Sequence, residues 1–117
     1  AEAEYYGIVK AASAGLGVVA MFADMGHRLR LEILTDASAA KGIASRKGLG
    51  KVRHIAVHFL WVQERIACGD FTLTKVAGKV NPADLLTKYL DSESSNRHCE
   101  RIGMKYLEGR SPIAPVV

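Results

Sequence analysis

A chain of 117 residues is the size of a single domain, and its 49% hydrophobic and 24% charged residues exclude a disordered or fibrous class. The formal net charge of +4 and pI of about 9.2 suit a polyanionic partner without selecting one. The two cysteines, Cys68 and Cys99, lack metal-site spacing; free thiols in a reducing compartment are expected, and one disulfide is the alternative.

Residues 3–24 predict a helix, with Ile8, Ala12, Leu16, Val19 and Phe22 recurring at three- and four-residue steps. Gly15 is expected to permit a close helix–sheet approach, and Gly26 to stop the helix. The most apolar stretch, 11–23, has about 13 residues, short of the roughly 20 that span a bilayer, and it lacks a basic leading flank. No signal peptide, transmembrane segment or membrane partner is expected, and the location is expected to be intracellular, cytoplasmic or nuclear. Leu29, Leu31, Ile33 and Thr35 alternate with other residues and predict a strand over 29–35. The alanine-rich segment 37–47 predicts a short helix capped near Asp36 or Ser38, followed by a loop at 48–50.

Ile55, Phe59, Val62 and Ile66 share one face of a helix expected over 51–68. Gly69-Asp70 marks a turn, and FTLTKVAG predicts a second strand over 71–78. NPADLLTKYL predicts a helix over 81–90, entered through Asn81 as cap and Pro82 at its first position. DSESSNR reads as a polar linker, and a last helix over about 96–108 precedes a proline-containing tail. Helices alternating with strands indicate an α/β class. Two strands alone make a marginal sheet, so the sheet is expected to need strands from outside these segments.

Three acids sit where such a fold would aim them. Asp36 follows the first strand, and ligands of α/β sheets bind outside the carboxyl ends of strands. Asp84 lies in the first turn after Asn81-Pro82, and Glu4 in the first turns of the first helix. Converging carboxylates suit Mg²⁺, a hard cation that takes oxygen ligands. Each acid also has a plain alternative: a helix cap for Asp36, a favourable dipole position for Asp84, and a solvated helix face for Glu4.

AEAEYYG (1–7), TDASAAKGIA (35–44), KVRHIAVHFLWVQERI (51–66) and NPADLLTKYL (81–90) occur in one order. Together they resemble the ribonuclease H domain of copia-type retrotransposon Pol polyproteins over residues 1–90, with 91–117 as a linker, short helix and tail. The resemblance implies a ribonuclease H-like α/β fold, a mixed sheet flanked by helices, of which the three N-terminal strands are not represented here. It implies four acids holding two Mg²⁺ ions that cut the RNA strand of RNA–DNA hybrids. Three of the acids match Glu4, Asp36 and Asp84; the first, on a leading strand, has no counterpart in this chain. Glu2 is the alternative to Glu4, since residues two apart on a helix point about 200° apart. Where the family has an acid after His-Ile, this chain has Ala56, which is given no catalytic role.

No acid occurs between Asp36 and Glu64, a window that contains Lys41, Arg46, Lys47, Lys51, Arg53 and His54. These six are the expected phosphate contacts, with an ordinary solvated basic face as the alternative. The expected partners are an RNA–DNA hybrid, read by backbone shape rather than base edges, and the polyprotein's own upstream reverse transcriptase region. Trp61 is expected in the core rather than as a stacking platform. The fragment alone is expected to be inactive, with an exposed sheet edge open to self-association. The alternative is a non-catalytic remnant that binds nucleic acid or docks on a polymerase.

Overall fold

The computed structural model describes residues 2–45 and 56–116, apart from the side chains of Ala39, Ile43, Ala56 and Phe59. The chain is of α/β class, with four helices and one two-stranded parallel sheet among the described residues. In chain order these are α1 (Glu2–Asp24), β1 (Glu32–Thr35), α2 (Ser38–Ser45), α3 (Ala56–Ala67), β2 (Thr72–Lys75) and α4 (Ser92–Arg101), with 3₁₀ turns at Gly78–Val80 and Pro82–Asp84. It forms two compact units, Ala1–Lys79 and Val80–Val117.

In the first unit, Tyr5, Ile8, Ala12, Ile33, Ala40, Ala44, Val62 and Phe71 form one buried cluster. Helical steps bring Tyr5, Ile8 and Ala12 onto the same face of α1, which packs on β1, α2 and α3. Leu16, Trp61, Ile66 and Leu73 lie against the cluster, so Trp61 is a core side chain as expected. Of the expected α1 face, Ile8 and Ala12 are buried and Leu16, Val19 and Phe22 half-buried, while Val18, Met21 and Met25 off that face are exposed. Within the 23-residue α1, an 18-residue window has a mean hydropathy of 1.5, long and apolar enough to cross a membrane. This exceeds the 13-residue stretch counted from sequence, because any 18-residue window of α1 reaches back past Lys10, which bounded that stretch.

Gly15 does what its spacing predicts. A Cβ built there would sit 2.6 Å from Leu31 Cδ1, so any side chain at residue 15 has to displace Leu31 where α1 meets the entry of β1. Helix α1 then ends at Gly26, whose φ of 87° is left-handed. The His27 N–H donates to the Phe22 carbonyl (2.8 Å) and the Gly26 N–H to the Ala23 carbonyl (3.0 Å), the paired bonds of a Schellman motif. Gly69 closes α3 the same way, with Asp70 N–H on the Arg65 carbonyl and an Arg65–Asp70 ion pair of 2.9 Å across the join.

The strands pair in parallel, Glu32 with Thr72 through Thr35 with Lys75. Ile33 and Thr35 turn inward; Glu32, Leu34, Thr72 and Thr74 face solvent, where the Thr74 hydroxyl donates to Glu32 Oε1 at 2.7 Å. Both strands are shorter than expected, 32–35 against 29–35 and 72–75 against 71–78. Pairing stops after the Val76 N–H reaches the Thr35 carbonyl, because Asp36 turns toward α2 while the other chain coils at Gly78.

The second unit corrects two expectations. Asn81 caps and Pro82 leads as predicted, with Asn81 Oδ1 accepting from the Ala83 N–H at 3.1 Å, but no helix runs over 81–90. The helical turn ends at Asp84: Leu85 is extended and Leu86 adopts a φ of 70°. Local bonds replace the helix, with Thr87 Oγ1 donating to the Ala83 carbonyl and Lys88 pairing with Asp84. The segment read as a polar linker is instead the start of α4. Asp91 is its N-cap, accepting from the Ser94 N–H at 2.9 Å, and Gly103 (φ 79°) ends it. The last helix therefore spans 92–101 rather than 96–108.

Candidate active site

Asp36 stands one residue beyond the C-terminal end of β1, at the edge of the parallel pair where α/β folds place ligands. It is exposed, and among the described residues it has no hydrogen bond or ion pair. The cap alternative for Asp36 does not match the geometry. Ala37 holds the cap position of α2, since its carbonyl accepts the first helical bond, from the Lys41 N–H at 3.0 Å. The Ala37 N–H is itself bonded to Thr35 Oγ1 at 3.2 Å. Asp36 is thus left between strand and helix with its carboxylate directed at Gly78: Oδ2 lies 3.3 Å from where a Gly78 Cβ would be.

Glu4 lies in the first turn of α1, exposed, next to the fully buried Tyr5 that anchors this turn in the core. The Tyr5 hydroxyl donates to the His58 carbonyl at 3.4 Å, and the Tyr6 ring meets His58 edge-on at 5.5 Å. The start of α1 is therefore tied to α3. Glu2 is exposed as well, so exposure does not choose between the two glutamates. Asp84 belongs to the second unit, at the end of the Pro82–Asp84 turn, with its side chain 15% exposed and its Oδ1 2.9 Å from Lys88 Nζ. Lys41 is half-buried on α2, one turn beyond Asp36. Arg46, Lys47, Lys51, Arg53 and His54 lie outside the described residues.

Carboxylate oxygens are the donors Mg²⁺ takes, and the exposed carboxylate of Asp36 suits one ligand position. Among the described residues, however, no group of three or more His, Cys, Asp or Glu side chains is gathered to hold a metal ion. One position fits, and among the described residues a complete set is absent. Cys68 is exposed and Cys99 buried, both as free thiols, in agreement with the expectation.

Two concavities in the first unit lie away from Asp36. One, of about 480 Å³, is lined by Val19, Ala23 and His27 to Arg30; the other, of about 260 Å³, sits at the N-terminal ends of the two strands. Sequence reasoning missed Gly78, whose only signal was a glycine just past a strand; what faces it comes from a distant segment. No protein-family model matches the chain, and neither the curated proteins nor the solved structures give a match.

Proposed function

We propose that this chain is the C-terminal portion of a ribonuclease H domain of a copia-type retrotransposon polyprotein, acting on the RNA strand of RNA–DNA hybrids. The observation that carries the reading is Asp36: an exposed, uncapped carboxylate at the C-terminal edge of a parallel strand pair. In this reading Asp36, Glu4 and Asp84 are three of four acids, and Mg²⁺, when bound, supplies water activation and leaving-group stabilisation. Lys41, Arg46, Lys47, Lys51, Arg53 and His54 hold the hybrid's phosphates, and the protein works inside the cell beside a reverse transcriptase. With three acids of four, residues 1–117 alone are expected to cleave little.

The test is cleavage of a labelled RNA–DNA hybrid in Mg²⁺, by the chain alone and by the polyprotein the reading implies. The polyprotein is expected to cut the RNA strand, and Asp36→Asn to reduce cutting about a hundredfold or more. A polyprotein that leaves the hybrid intact overturns the enzyme reading.

A second reading has its own support. The Asp84 carboxylate is already paired with Lys88, at 2.9 Å. A remnant that binds nucleic acid, or docks on a polymerase, without cutting would show this. Hybrid binding that falls with salt and is indifferent to Mg²⁺ and to Asp84→Asn is the result expected of it.

A further inference from the structure

Gly78 opens the 3₁₀ turn that follows β2, and its backbone does not require glycine. Its φ lies outside the left-handed range that forces glycine at Gly26, Gly69, Gly103 and Gly109. What distinguishes it is the neighbour. Among the described residues, the one heavy atom within 4 Å of a Cβ built at Gly78 is Asp36 Oδ2, at 3.3 Å, tighter than nine in ten real Cβ contacts. Gly7, Gly17 and Gly42, by contrast, open onto empty space. The two residues reach one another through the parallel register: each lies just past the C-terminal end of its strand, and the Val76 N–H bond to the Thr35 carbonyl locks the two ends together.

We infer that Gly78 is a positioning residue for Asp36. Its bare Cα leaves the space in which the carboxylate stands at the sheet edge, and a side chain there pushes the carboxylate away. The inference deepens the proposed role of Asp36 as a cation ligand and rests on that reading for its consequence, though not for its geometry. A methyl group at residue 78 meets a carboxylate oxygen on a short side chain, so Asp36 yields by changing its side-chain torsion or its reach. Outer partners that fix a metal ligand by hydrogen bonding change metal affinity about 10–100-fold when altered; Gly78 acts by space alone, and the lower end of that range is expected.

Two measurements on the full chain test this. The first needs no metal: side-chain couplings and the ¹³C-carboxyl shift of Asp36 by NMR. Gly78→Ala and Gly78→Ser are expected to change both, and Gly17→Ala neither, with the melting temperature unchanged or raised. Unaltered Asp36 couplings in both Gly78 variants overturn the inference. The second uses Mn²⁺ as a paramagnetic probe. Broadening of the backbone amides of residues 36 and 37 is expected, lost in Asp36→Asn and shifted to about tenfold higher Mn²⁺ in Gly78→Ala. If Asp36→Asn abolishes a metal response that Gly78→Ala leaves untouched, the positioning role fails while the ligand role stands. If the response is indifferent to Asp36→Asn, the ligand role fails, and the coupling measurement alone judges the position of the carboxylate.

Discussion

Asp91 shows how one side chain starts an element. Its carboxylate accepts from the Ser94 N–H, and hydrogen bonds from Ser94 together with nearby Arg97 hold its pKa below the ordinary carboxylate value. A depressed folded-state pKa means the group favours α4 when ionised. That stabilisation is present above the unfolded carboxylate pKa and is lost as pH falls through the lower folded value. Helix α4 is therefore expected to fray on acidification, starting at the Ser92–Ser95 amides, as read by amide hydrogen exchange. Asp91→Asn, which keeps an acceptor, is expected to flatten this pH dependence while retaining the cap; an unchanged acid profile in that variant would falsify the assignment. Leu86 is the opposite kind of residue: 97% exposed and left-handed, it gains nothing from burial and marks where the helical turn gave way.

Among the elements, the ends of α1 and α3 were legible because Gly26 and Gly69 write them locally, with positive φ and the same pair of bonds; Gly103 closes α4 in that way too, inside a segment expected to stay helical to 108. The start of α4 carried the matching signal, Asp91 ahead of Ser94 with Gly103 beyond, but its polar composition hides the helix from a search for apolar periodicity. NPADLLTKYL misleads in the other direction: its cap and proline are real, but the bonds of Asn81, Asp84 and Thr87 fold the segment into turns. The approach of α1 to β1 gives a direct test at Gly15. Gly15→Val drives a branched side chain into Leu31, with a loss of about 1–3 kcal/mol expected in chemical denaturation. Combined with Leu31→Ala, the loss should be less than the sum of the two single changes, because the pair shares one space. Simple additivity would show that the close approach does not matter. Phe71, 2% exposed at the entry to β2, anchors the other strand; Phe71→Ala is expected to cost about 3–5 kcal/mol in the same assay.

At the scale of the whole molecule, the first unit carries a sheet with open flanks. Leu31 and Thr35 turn their carbonyls to β2, so by strand alternation the backbone groups of Glu32 and Leu34 point to the opposite edge. No described strand pairs with that edge, and Leu34 beside it is 40% exposed. Such an edge favours association, so sedimentation is expected to show mass rising with concentration, and Leu34→Lys to lower it. A strictly monomeric chain across the concentration range would contradict this. The sequence by itself determined that α1 stops at Gly26 and α3 at Gly69, that Asn81 caps and Pro82 leads the segment they open, and that Gly15 and Trp61 belong to the packed interior. These depend on φ preferences, caps and apolar periodicity, all of which act over a few residues. Only the tertiary structure decided the parallel register of β1 on β2, the short length of both strands, and the meeting of Asp36 with Gly78. Those depend on segments distant in the chain closing on one another, and no local preference encodes which residue will stand opposite which.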